Sequence, residues 1–323
     1  MLSFVRNMIP DRANPIGIDF GSSTLRAVQT ERDHGELKIV WAESRPVDAD
    51  AMNNPAERAR FFVDAMKSML STGTFKGRKA ILALPSFLTH VRHIRTPVFS
   101  PDEAREIITR EAHGKLPIEP EHCMLRHVIA GEFPSENGTQ SELILMAAAK
   151  RDVESLLESA ARAKLDLVGL VAQPRALVDC FENIYRRVAD ATAVNLFVDL
   201  GANSTRVVVG HSGQLRFARS IPNTKDESTR LIDELELCRR YHESTFADKP
   251  ISRLIFVGGC AKDQNLCQSI AQAMSLPAQL GDPLVRFNRT AMPQLTAMDR
   301  RAPQPEWAVA IGASLGALVT ANV

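Results

Sequence analysis

The strongest constraint in this 323-residue chain is an internal repeat. IGIDFGSSTLRAVQT, starting at Ile16, lies in register with LFVDLGANSTRVVVG, starting at Leu196. Asp19 falls on Asp199, Gly21 on Gly201 and Arg26 on Arg206, each pair 180 positions apart. Each copy reads as an apolar strand that ends on a carboxylate, turns on glycine and small polar residues, and restarts as a second strand. One such unit is an ordinary β-hairpin with a Gly-Ser turn. Two at a long constant offset predict two similar domains facing each other.

The residue types suit an anion. Each turn can direct backbone N–H groups and small hydroxyls at a phosphate, and each aspartate can hold Mg²⁺ through water. Glycine fits where a phosphate closely approaches the main chain. The candidate phosphate-holding residues are Asp19, Gly21, Ser22, Ser23 and Thr24 in the first unit. In the second they are Asp199, Gly201, Ala202, Asn203, Ser204 and Thr205, with Asp19 and Asp199 as the Mg²⁺ pair. A third element, RLIFVGGCAKDQNLCQ, is a buried strand, the pair Gly258-Gly259, and a helix. Such a turn lets a flat ring lie on the main chain, and it equally suits a tight strand-to-helix connection.

In this order the three elements resemble the phosphate 1, phosphate 2 and adenosine motifs of the actin-like ATPase superfamily. Gly312 and Gly316 resemble its second connecting helix, where helix packing alone also explains them. The implied fold is α/β, actin-like (ribonuclease H-like), with duplicated domains, and the implied cofactors are ATP and Mg²⁺. The stretch from AILALPSFLTHVRHIRTP through REAHGKLPIEPEH to AAAKRDVESLLESAARAKLDLVGLVAQP resembles the PilM proteins of type IV pilus assembly, relatives of FtsA. The resemblance runs from Ile16 to about Leu318. It implies a cytosolic adaptor, peripheral to the inner membrane, that holds the cytosolic tail of a PilN-like partner between the first domain and an inserted lobe.

The expected organisation is domain 1 over 14–46 and 149–190, an inserted lobe over 47–148, domain 2 over 191–306, and a closing helix over 307–323. The extension of domain 2 that covers adenine in the family is expected to be shortened to about 222–250. A second departure is Gln173, at a position where the superfamily often carries glutamate. An amide can orient a water without accepting its proton, which predicts slow hydrolysis or none. Two other readings follow from these departures. One is a scaffold that no longer binds nucleotide. The other is a small-molecule kinase, for which Asp179 and Glu182 are the nearby carboxylates.

Composition narrows the rest. With 39 basic and 38 acidic residues the chain has no net field to attract nucleic acid or an anionic membrane, and 6% aromatics argue against a base-stacking platform. Five scattered cysteines without a C-x-x-C pair read as free thiols in a reducing compartment. No apolar run is long enough to span a bilayer, and MLSFVRNMIP reads as too short for a signal peptide, a frayed end or a turn or two of helix. In a strand His90 and His93 point to opposite faces, which suits no shared metal. His113, His122 and His127, around the KLPIEP turn, read as solvated surface.

Overall fold

The structure, a computed structural model, describes residues 13–136, 138–185, 190, 192–223 and 227–316. The apolar leader, residues 186–189 of the helix expected over 174–189, and 317–323 of the closing segment lie outside the described residues.

The chain builds one sheet twice. In the first half, β1 (Ala13–Phe20), β2 (Thr24–Asp33) and β3 (Glu36–Pro46) form an antiparallel meander. A short helix α1 (Ala49–Asn53) and the longer α2 (Pro55–Thr72) lead to β4 (Lys79–Leu84), which runs parallel to β1. Asn54 starts α2 by accepting from the Ala56 N–H, with Pro55 behind it, so a capping side chain and a fixed φ define the helix start.

The chain then leaves the sheet for β5 (Thr89–Pro97), α3 (Ala104–Ala112), β6 (Cys123–Ser135) and β7 (Gly138–Ala149). It returns through α4 (Lys150–Arg162) to β8 (Asp166–Ala172), parallel to β4, and continues into α5 (Gln173–Ile184). The second half repeats this plan with β9 (Val194–Leu200), β10 (Ser204–His211), β11 (Gln214–Pro222), α6 (Glu227–Thr245), β12 (Arg253–Val257), α7 (Gln264–Met274) and β13 (Ala278–Leu280). The sheet orders are β3-β2-β1-β4-β8 and β11-β10-β9-β12-β13, the same order of appearance in each. A final helix, α8 (Ala308–Leu315), follows a proline-punctuated stretch.

Two expected boundaries change. The lobe does not begin at residue 47. β4 carries the run KAILAL with its central residues buried, and such a strand is stable only inside a sheet covered on both faces. Phe62, Met66 and Met69 of α2 pack on that sheet with Ile16, Ile18 and Leu82. The separate lobe is therefore the three-stranded sheet β5-β7-β6 with α3, within 89–149. It enters between β4 and α4, where the second half has only a short turn between β12 and α7. Within the expected region 222–250, residues Glu227–Thr245 form one helix, α6, in the place that α2 takes in the first half. Leu231, Leu235 and Cys238 bury its inner face on the second sheet.

The connecting helices cross over. α5 follows the first sheet yet packs on the second, where Phe181 stacks on Phe197 with centroids 5.1 Å apart. α8 follows the second sheet and packs on the first, where Ser314 Oγ donates to the Pro15 carbonyl at 2.8 Å. One core cluster thus joins both halves, from Val28 and Ile39 to Val208, Trp307 and Ile311.

Where α5 and α8 touch, a Cβ at Gly312 would sit 1.8 Å from the Ala176 carbonyl oxygen. Backbone cannot yield as a flexible side chain would. Gly312→Ala is therefore expected to destabilise the fold by about 2–3 kcal/mol, read as a lowered urea midpoint at unchanged slope.

Candidate functional site

Asp19 and Asp199 stand at the ends of β1 and β9, one step before the turns. Each lies directly across its antiparallel ladder from an arginine: Asp19 from Arg26, Asp199 from Arg206. Opposed residues of a ladder share a face, so each carboxylate starts with a cation beside it. The two glycines that follow shape the turns. Gly21 N–H donates to the Thr24 carbonyl at 3.0 Å and Gly201 N–H to the Ser204 carbonyl at 3.2 Å. A Cβ at Gly201 would lie 2.7 Å from that same Ser204 oxygen, so the tight turn itself accounts for the glycine.

Between the halves the side chains form one continuous chain of hydrogen bonds. Gln173, at the start of α5, donates from Nε2 to Asp19 Oδ1 at 2.8 Å. Its Oε1 accepts from Arg206 Nη1 at 2.9 Å. Arg206 donates in turn to Asp199 Oδ2 from Nε at 2.8 Å and from Nη2, and reaches Ser86 Oγ at 3.4 Å. The chemistry fixes the amide's orientation, because a carboxylate only accepts and a guanidinium only donates. Asp19, Gln173 and Asp199 are 4%, 2% and 2% exposed, so the carboxylates and the amide are shut away from water while Arg206 and Ser86 are half-buried.

The charges respond to this enclosure. Burial raises the Asp19 carboxyl above its ordinary value, against the opposing pull of Arg206 and Arg26, and Asp199 raises it further. Burial works against the Arg206 charge, but Asp199 and Asp19 outweigh it and hold the guanidinium above its usual range. Arg26 lies over the Trp307 ring, 5.9 Å from its centroid.

The remaining candidates divide. Ser22, Thr24 and Ser204 are half-buried, Thr205 is buried, and Ser23, Ala202 and Asn203 are exposed at the turn tips. The second turn is braced by Asn223, whose Nδ2 donates to the Gly201 and Ala202 carbonyls at 3.0 and 3.1 Å. Nothing in the sequence marks Asn223. Beside this turn lies a half-open pocket of about 120 Å³, lined by Gly201, Ala202, Asn223, Leu231 and Cys260 among others. Gly258 has φ 90°, and a Cβ there would meet Asp199 Oδ1 and the Leu200 carbonyl at 2.5 Å. It backs the aspartate, while Gly259 faces open space.

Other sequence candidates lie away from this network. Asp179 is bonded by Arg175, and Glu182 lies against Gly213. His93 is engaged by Glu142 and the Ala218 main chain. The exposed His113, Glu119 and Glu121 bring their ligand atoms within 4.8 Å of one another, with the His113 ring nitrogens 3.2 and 3.3 Å from the two carboxylates. All five cysteines are free. Among the described residues no helix is long and apolar enough to cross a membrane.

A family model described as type IV pilus assembly protein PilM matches residues 17–232. Among solved structures, a PilM-PilN type IV pilus biogenesis complex is similar at TM-score 0.73 and 20% identity, covering 94% of this chain and 98% of that one. A Bacteroides thetaiotaomicron protein with an actin-like ATPase fold and unknown function is similar at 0.51 and 14%, covering 89% and 96%. Ethanolamine utilization protein EutJ from Carboxydothermus hydrogenoformans is similar at 0.50 and 12%, covering 96% and 91%. No curated protein matches. At these identities the likenesses establish the actin-like fold.

Proposed function

Because the chain belongs to the family of type IV pilus assembly protein PilM, we propose that it is an actin-like adaptor holding a cytosolic segment of a PilN-like inner-membrane protein. In this reading it works in the cytosol and reaches the membrane through that partner. The observation that supports the reading is a small pocket of about 30 Å³ where the lobe joins the first domain. Phe20, Phe62, Leu88 and Leu156 line it from the end of β1, from α2, from the turn into the lobe and from α4. Arg58 and Asp152 stand in the same lining. Arg58 lies over the Phe87 ring at 4.7 Å and donates from Nη2 to the Met52 carbonyl at 2.7 Å, while its buried Nε has no partner. Phe20, Phe62 and Leu156 are buried beneath the pocket, so a peptide held here would meet chiefly the half-buried Leu88 and the charged Arg58 and Asp152.

A nucleotide of the ATP class is a secondary ligand in this proposal. Exposed groups at the two turn tips and the pocket beside Ala202 and Cys260 favour it. The small cover over that pocket, a single helix, argues that it binds weakly. With Gln173 committed to Asp19 and Arg206, its amide is not free to orient a water, which favours slow hydrolysis or none.

Co-expression with the PilN-like protein of the same organism, followed by detergent extraction and gel filtration, tests the adaptor reading. The two are expected to co-elute, and Arg58→Glu is expected to weaken the complex at least about tenfold, or roughly 1.4 kcal/mol. Elution of the unaltered chain apart from that protein would contradict the reading.

A further inference from the structure

We infer that Arg206 is the built-in cation of the interdomain cleft, standing where this architecture would otherwise place a divalent metal, so that the two halves close on one another without one. The carboxylates that would hold Mg²⁺ do not fit a hydrated ion. Both are buried, Asp199 is held through Oδ2 by two guanidinium nitrogens, and Asp19 is held through Oδ1 by Gln173. The far side of Asp199 is filled by Gly258, too close for even a methyl group.

The charge count agrees. Two carboxylates are matched by two guanidiniums, Arg206 and Arg26, so an added dication would meet a neutral set rather than a doubly negative one. A cation that must shed its water gains little there.

The placement also explains closure. Arg206 and Asp199 come from the second sheet, whereas Gln173, Asp19 and Ser86 come from the first half. One side chain therefore spans the cleft, and its planar fork suits the task as a lysine would not. This inference stands apart from partner binding, and its test uses no partner.

The test compares melting temperatures of the full chain in about 10 mM Mg²⁺ and in EDTA. A metal site with Kd a hundredfold below that concentration would raise the melting temperature by roughly 4 °C. The unaltered chain is expected to change by less than about 1 °C on that same scale. Arg206→Met leaves two enclosed carboxylates without their cation. It is expected to melt lower in EDTA and to regain several degrees with Mg²⁺. Should that variant fail to fold, Arg206→Met combined with Asp199→Asn removes the charge conflict, and is expected to fold and to ignore Mg²⁺. Small-angle scattering gives a second reading: the unaltered chain keeps one radius of gyration in both buffers. A rise of roughly 4 °C with Mg²⁺ in the unaltered chain, or an expansion of that chain in EDTA, would overturn the inference. So would an Arg206→Met variant that melts like the unaltered chain in EDTA.

Discussion

Replacing Glu142 by leucine is expected to cost about 3–5 kcal/mol of stability, the range for breaking a buried ionic cluster from one side. Glu142 lies on β7 of the lobe and is fully buried. It accepts from His93 Nδ1 at 2.9 Å, from Arg95 Nε at 3.1 Å and from the Tyr241 hydroxyl. Tyr241 belongs to α6 of the second half, as does Thr245, which accepts from Arg95 at 3.1 Å. His93 stacks on Phe217 of β11 with centroids 4.6 Å apart. The carboxylate is thus the hub that joins the lobe to the second domain, and leucine would leave the His93 Nδ1 and the Tyr241 hydroxyl without it, while the half-exposed Arg95 keeps Thr245.

The pH dependence has a definite sign. Burial alone would raise the Glu142 carboxyl, but the donors from His93, Tyr241 and Arg95 bring it below its ordinary value. A carboxylate lowered on folding contributes fully above the unfolded value of about 4.3 and loses that contribution as pH falls through the folded one. Urea titrations between pH 3 and 7 are expected to show this acid loss in the unaltered chain and a weaker one in Glu142→Gln. A leucine variant with an unchanged urea midpoint would remove Glu142 from this role.

Asp199→Ala is expected to cost a comparable amount, about 3–5 kcal/mol, because it removes the carboxylate bonded to Arg206 and leaves Gln173 and Ser86 as its hydrogen-bond partners. Asp19→Asn is expected to cost less than about 1 kcal/mol, since asparagine keeps an acceptor for Gln173 Nε2, and a hydrogen bond of this kind is worth about that much. The contrast is the informative part, because both aspartates are buried and both end a strand before a glycine turn. Equal losses at the two positions, measured by urea unfolding, would show that the charge on Arg206 is not what distinguishes them.

The duplicated architecture was legible because each hairpin carries its own signature and the offset is constant. The lobe boundary was not. KAILAL shows only that a short strand is buried, and its parallel neighbour β1 lies some 60 residues earlier, across two helices. The Arg26–Arg206 match was visible in the repeat, but its meaning needs the hairpin register, which sets each arginine opposite its aspartate. That register could have been inferred from the tight turns. The bond from Gln173 to Asp19 could not, since 154 positions separate them and only the packing of α5 between the sheets brings them together. Glu142 did leave a signal: a carboxylate at the head of the apolar run ELILMAAA is rarely buried unless paired.

In the proposed function the chain works by holding a membrane protein's segment where its first domain meets its lobe. Site-specific photo-crosslinking tests this most directly. A benzophenone amino acid is placed at the Leu88 position in the pocket, or at the exposed Ala202 position on the second hairpin, in cells that also make the PilN-like protein. A crosslink to that protein's cytosolic segment is expected from position 88 and none from position 202. A crosslink from 202 and none from 88 would contradict it.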